Sequence, residues 1–180
     1  MQTGGNSMNR IVELLTNRRS IRNYRTDQVD EGKIDEILQA GLYAPTGMNR
    51  QDVVFVAVTD KETRDRLSAI NAEIMGTDKD PFYGAPAVIV VLADRTSPTH
   101  VYDGALAMGN MMNAAYSLGL GSCWIHRAKE TFETEEGRAL LKKWGINGDV
   151  EGIGNCILGY TDELEPKASE RKTGRIIKIN

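Results

Sequence analysis

Three guanidinium groups and a hydroxyl fall within five residues at Arg18-Arg19-Ser20-Ile21-Arg22. An arginine presents a rigid fork of donors that matches phosphate oxygens, and a neighbouring serine adds a hydroxyl to the same cluster. Anion binding, phosphate first, is the chemistry this composition suits. The competing reading is structural: the arginines close a short helix and sit in solvent near its C-terminus, where the helix dipole favours cations.

Two further stretches could take part in chemistry. Ala44-Pro45-Thr46-Gly47-Met48-Asn49-Arg50-Gln51 joins a helix stop to a strand through small, hydroxyl and amide residues. Side-chain amides can pair edge-on with a planar heterocycle that shows both donors and acceptors, although the same composition serves an ordinary helix-to-strand loop. Gly119-Leu120-Gly121-Ser122-Cys123-Trp124-Ile125-His126-Arg127 brings backbone close to a neighbour and ends a strand in an aromatic, an aliphatic and a histidine. Strand ends of this kind gather ligands. His126 suits a general acid, a substrate contact or a plain surface residue, and it lacks a visible acidic partner. Cys123 and His126 form no dyad, because three residues apart on a strand they face opposite ways.

Several chemistries lack their local signature. No G-x-G-x-x-G follows the first strand, and no G-x-x-x-x-G-K-[ST], H-E-x-x-H or G-x-S-x-G occurs, which removes the usual dinucleotide, nucleoside-triphosphate, zinc-protease and serine-hydrolase readings. Cys123 and Cys156 are the only cysteines, far apart and in apolar runs, so neither a disulfide framework nor a zinc site is expected and a reducing cytoplasm is the natural home.

The elements that must position these residues follow from periodicity. Ile11, Leu14 and Leu15 mark a short helix from Met8 to Asn17 that delivers the chain to the arginines. Asp30 suits the cap of a second helix with Ile34, Ile37, Leu38 and Leu42 on one face, stopped at Ala44 by Pro45. Val53 to Val58 reads as a strand, Lys61 to Met75 as a helix opened by Asp60, and residues 76–83 as loop. Ala87 to Leu92 is continuously apolar and belongs in the middle of a sheet covered on both faces. The helix from about His100 to Leu118 is apolar almost all round and rich in small residues, which predicts burial against a second subunit or within the domain core. Gly121 to Ile125 reads as a short strand, Thr134 to Trp144 as a capped helix, Gly152 to Leu158 as the last strand, and residues 164–178 as a basic tail without helical period.

With 180 residues, 41% hydrophobic and 26% charged, the chain fits one globular domain over residues 8–180; residues 1–7 read as a non-native leader before a natural start at Met8. A net charge of −3 argues against nucleic acid or a membrane surface as partner and favours small molecules. No apolar run is long enough to span a bilayer.

The ordered set R-R-S-I-R, A-P-T-G-M-N-R-Q, L-G-L-G-S-C-W-I and G-Y before a basic tail closely resembles the nitroreductase family of FMN-dependent oxidoreductases, over nearly the whole chain from Met8. That resemblance implies an α+β fold, a central mainly antiparallel sheet flanked by helices, and an intertwined homodimer with two FMN molecules at the subunit interface. It places Arg18, Arg19 and Ser20 on the FMN phosphate and ribityl chain, and Arg22 at the pyrimidine edge of the flavin. Pro45, Thr46, Gly47 and Asn49 reach in from the other subunit, backbone at Ile125 and His126 meets the ring, and Arg171 and Lys172 complete the phosphate site.

The implied activity is hydride transfer from NADH or NADPH to the flavin and then to a small acceptor such as a nitroaromatic or quinone, in a ping-pong cycle. The flavin N5 carries that chemistry and no protein nucleophile is required. A flavin dehydrogenase or reductase with a narrow substrate, and a non-catalytic flavin-binding protein, stand as alternatives. Two departures from the family bear on the substrate: Asp52 follows Gln51 where many members have proline, and the region between Met75 and Tyr83, near the expected substrate lid, is short. Phe82 and Tyr83 suit either closure over the flavin or simple packing.

Overall fold

The computed structural model describes residues 8–180; the leader expected at residues 1–7 lies outside them. Six helices and four strands follow in the order α1 (Arg10–Asn17), α2 (Glu31–Leu42), β1 (Val53–Val58), α3 (Lys61–Met75), β2 (Ala87–Asp94), α4 (His100–Ser117), β3 (Gly121–Ile125), α5 (Ala128–Glu133), α6 (Glu135–Lys143) and β4 (Val150–Gly159). The strands form one sheet in the order β1-β2-β4-β3, and every pair is antiparallel. A single parallel bridge, Ser20 to Ser122, adds the chain behind α1 to the outer edge of β3 and makes the sheet mixed.

The continuous apolar run of β2 has a simple cause. Alternate side chains of a strand face opposite ways, and both faces of this strand are covered. Ile89, Val91 and Ala93 pack with α2 and α4, whereas Val88, Val90 and Leu92 pack in the second cluster with Leu67 of α3 and Phe132 of α5. β4 lies beside β2 and is buried from Gly152 to Gly159 for the same reason.

Helix boundaries follow local chemistry. Asn9, Asp30, Asp60 and Thr134 each accept a backbone N–H of the first turn of the helix that follows. Gly76, at φ 70°, closes α3 in the left-handed conformation that glycine adopts without strain. The short helix α5 is new relative to the sequence reading, because six residues are too few for a period to show.

Helix α4 is only half covered. Asp103, Gly104, Ala107, Met108, Met111, Met112 and Ala115 are buried, while Val101, Tyr102 and Leu106 remain exposed. Gly104 is needed on the inner side, since a Cβ there would stand 2.6 Å from Ile153. At Gly109, on the open side, a Cβ would meet nothing. No residue of α1 is buried either, and its Ile11 and Leu15 stand in solvent. These faces are apolar without a partner in the single chain.

Candidate functional site

The arginine-rich stretch is fixed against the outer edge of β3. The Ile21 N–H donates to the Ser122 carbonyl at 3.0 Å, and the Ile21 side chain is buried over Gly121, where any Cβ would collide with it at 2.9 Å. Tyr24 braces the same segment by donating its hydroxyl to the Ile21 carbonyl at 2.7 Å, and burial pushes its phenol well above the ordinary range. Ser20, Ile125 and His126 therefore share one sheet edge, with Arg18, Arg19 and Arg22 close along the chain.

The arginines are not equivalent. Arg18 buries Nη1 without a hydrogen-bond partner, and the Ser122 hydroxyl beside the bridge is also buried and unpartnered. Buried donors of this kind are costly unless something satisfies them. Arg19 instead folds back on its helix, donating from Nη1 to the carbonyls of Thr16 and Arg18 at 2.6 and 2.8 Å. The helix-closing role weighed from sequence thus describes Arg19, although its Nε is still buried without a partner. Arg22 stands with its guanidinium 5.9 Å from the centre of the Tyr83 ring.

Arg22, Tyr83, Trp124, Ile125, His126 and Arg127 line a cleft of about 290 Å³ with the loop after α3. Asn71 of α3, fully buried, fixes the end of β3: its Nδ2 donates to the His126 carbonyl at 2.8 Å, and its Oδ1 accepts from Arg127 Nε at 3.0 Å. The His126 ring is exposed and enters none of the described hydrogen bonds or ion pairs. The opposite loop is tied down by Asp80, whose carboxylate accepts from Ser68, from Arg64 at 2.7 Å and from the amides of Phe82 and Gly84 at 2.8 and 2.7 Å. Partial burial works against ionisation of Asp80, but these hydrogen bonds outweigh it and hold the carboxyl below its usual range.

Pro45, Thr46, Gly47 and Asn49 lie elsewhere, ahead of β1 at the opposite edge of the sheet. The Gly47 N–H donates to Asp103 Oδ1 at 3.1 Å, while Asp103 Oδ2 accepts from the Thr99 hydroxyl at 2.8 Å. The Thr46 hydroxyl accepts from the Gln51 N–H at 3.1 Å, and Asn49 Oδ1 accepts from the Gln51 amide at 3.0 Å. Met48, Asn49 and Gln51 all have φ near +55°, a strained arrangement for residues other than glycine. A second cavity of about 580 Å³ opens beside this loop, lined in part by Tyr43, Thr46, Asn49, Phe55 and Ala107.

The two groups stand at opposite ends of α4. The loop is anchored at Asp103 in the first turn, whereas the arginine segment pairs through Ser20 with Ser122, just beyond the last turn of α4 at Ser117. At about 1.5 Å per residue, that separation is on the order of 20 Å. Neither cavity has members of both groups in its wall. Arg171 and Lys172 are exposed in the tail and enter none of the described hydrogen bonds or ion pairs.

Sequence reasoning missed Asn71, Asp80 and Asp103. An acid in the otherwise apolar α4 was the one available signal, and it points to Asp103. Asn71 and Asp80 sit in unremarkable polar surroundings and become visible only through their partners.

The family model described as "Nitroreductase family" matches residues 15–79 and 73–160. The chain belongs to the nitroreductase family. A candidate NADH dehydrogenase/NAD(P)H nitroreductase of Archaeoglobus fulgidus is 31% identical over 85% of this chain and 86% of its own. An FMN reductase [NAD(P)H] of Bacillus subtilis is 30% identical over 64% of this chain, which spans only 53% of that relative. Among solved nitroreductase structures, that of a Bacteroides fragilis nitroreductase with bound FMN superposes with a TM-score of 0.88, at 29% identity, over 96% of this chain and 100% of its own. The α+β fold expected from sequence is thus the nitroreductase fold.

Proposed function

We propose that this nitroreductase-family chain is an FMN-dependent oxidoreductase that works as a homodimer, taking hydride from NADH or NADPH and reducing a small acceptor such as a nitroaromatic or quinone. The observation that carries this reading is the division of the site: its arginine-rich half and its amide-bearing loop are each built, yet stand about a helix length apart. A second copy would bring one chain's loop to the other's arginines. The open faces of α1 and α4 supply the apolar surface that such a dimer needs.

The residues fit the cofactor. The Arg18 Nη1 and the Ser122 hydroxyl are buried without a partner, and Ser122 pairs with Ser20 across the bridge, which leaves donors for a phosphate and a polyhydroxyl chain. When bound, FMN supplies hydride acceptance and donation at its N5. Arg18, Arg19 and Ser20 would hold the phosphate end, and Arg22 would supply a fixed positive charge that favours the reduced, anionic flavin. Backbone at Ile125 and His126, locked by Asn71, orients the ring. Thr46 and Asn49 of the partner subunit close the other side, with Pro45 and Gly47 shaping their loop.

Arg171 and Lys172 come to the phosphate when the tail docks. Ile176, Ile177 and Ile179 are 82–90% exposed, which gives the tail apolar contacts to make on a dimer. The two buried free cysteines suit a reducing cytoplasm, and burial pushes the Cys156 thiol up to about 12, far from a nucleophile. No described helix is long and apolar enough to cross a membrane.

The test is an absorption spectrum of the purified protein loaded with FMN, followed by NADH and then NADPH without oxygen. Rapid bleaching of the flavin and a dimer in sedimentation support the proposal. A protein that cannot take up FMN overturns it, and a flavin that stays yellow with both donors leaves a binding protein instead.

A further inference from the structure

The cleft at the end of β3 carries more positive charge than a flavin ring requires. Arg22, Lys79 and Arg127 line it, and Asp80 is the one acid among its described lining residues. The Asp80 charge is already met by Arg64 and by two backbone amides.

Arg127 is held in an unusual way. Its backbone is left-handed at φ 72°, a conformation glycine reaches freely and arginine does not, so the position keeps its guanidinium against backbone strain. Nε is spent on the fully buried Asn71, which aims the group. The two terminal nitrogens of Arg127 and the ammonium of Lys79 enter none of the described hydrogen bonds or ion pairs. A pre-oriented guanidinium fork and an ammonium lining the same cleft suit an oxyanion.

We propose that Arg127, aimed by Asn71, and Lys79 bind an anionic group, phosphate or carboxylate, on a substrate of the flavoenzyme. The inference rests on the flavin oxidoreductase reading but concerns which substrates the cleft admits. The shared chemistry has two sources: the extra phosphate that distinguishes NADPH from NADH, or a carboxylate on the acceptor.

The experiment is calorimetric titration of the FMN-loaded protein with two pairs, NADP⁺ against NAD⁺ and nitrobenzoate against nitrobenzamide, none of which turns over without a reductant. The proposal expects the more anionic member of at least one pair to bind about tenfold tighter, and the responding pair names the source. Arg127→Gly keeps the backbone conformation and removes the fork together with its bond to Asn71, so Lys79→Gln, at an exposed loop residue that does not bear on folding, is the cleaner variant. Each should cut the preference several-fold and leave the less anionic member unaffected, while Lys142→Gln on the exposed side of α6 changes nothing. Equal binding within both pairs, or a preference that survives both substitutions, overturns the proposal. Failure to bleach with either nicotinamide would instead sink the flavoenzyme reading, and the heats of anion binding would still report on the cleft.

Discussion

The amide of Gly47 and the carboxylate of Asp103 are joined at 3.1 Å across 56 residues of sequence, and this bond ties the loop ahead of β1 to the first turn of α4. Asp103 is 3% exposed and spends its second oxygen on Thr99. Replacing it with alanine takes the acceptor from a half-buried amide and a half-buried hydroxyl, at a cost of about 1–2 kcal/mol. Chemical denaturation of Asp103→Ala should register that loss, and an unchanged midpoint would mean that the loop is held by other contacts.

Gly47 itself admits no side chain. A Cβ there would lie 2.2 Å from the Thr99 hydroxyl. Gly47→Ala should displace the loop and cost about 1–3 kcal/mol, as overpacking of a tight contact does. Gly47→Ala combined with Thr99→Ser, which keeps the hydroxyl, should stay destabilised; combined with Thr99→Gly it should recover. Thermal melts of the two pairs distinguish them.

Asp80 predicts a dependence on acid. Its carboxyl is held below the ordinary value of about 3.9, so the unfolded chain takes up this proton first as pH falls. The stabilisation is therefore complete above about pH 5 and lost as pH drops through the ordinary value towards the lower folded one. Asp80→Asn should flatten that part of the stability profile and cost roughly 1 kcal/mol at neutral pH, a modest figure because the side chain is 36% exposed. An acid limb as steep as that of the parent protein would exclude Asp80 as its source.

Arg18→Ala should weaken FMN binding by at least tenfold, since the group removed is a buried donor without a protein partner. Its stability without FMN should hold or rise, because an unsatisfied buried donor has been taken away. Equilibrium dialysis against FMN gives the first number and a melt of the flavin-free protein the second. Unchanged FMN affinity would move the phosphate site elsewhere.

Leu106 is 49% exposed on the open face of α4. Leu106→Asp should leave the melting of the separate chain within about 0.5 kcal/mol of the parent while weakening dimerisation, because only the association buries that side chain. Sedimentation across a concentration series would show a shifted monomer fraction. A variant dimer as tight as the parent would place the interface on another face.

The layers of this fold were legible because periodicity reports burial. β2 reads as apolar throughout since both its faces are covered, and the ends of α3 are written in Asp60 and Gly76. The reading of α4 was half successful: its buried side is real, but the same residue types on its open side look identical in sequence, and a pattern cannot say which partner is absent. The site was legible where it uses local composition, as at Arg18 to Arg22. It was illegible where one polar side chain acts across the fold, as Asn71 does on His126 and Arg127, because hydrogen bonds spanning more than fifty residues leave no spacing to read.

The placement of the arginine corner and the amide loop at opposite ends of α4 also governs how damage is shared. In a dimer that pairs each corner with the other chain's loop, an Arg18→Ala chain joined to an Asn49→Ala chain concentrates both lesions in one site. The other site inherits an intact corner from one chain and an intact loop from the other. Two defective proteins, unfolded together and refolded as a mixture, would regain activity that neither has alone, and the recovered share would count how often unlike chains had met.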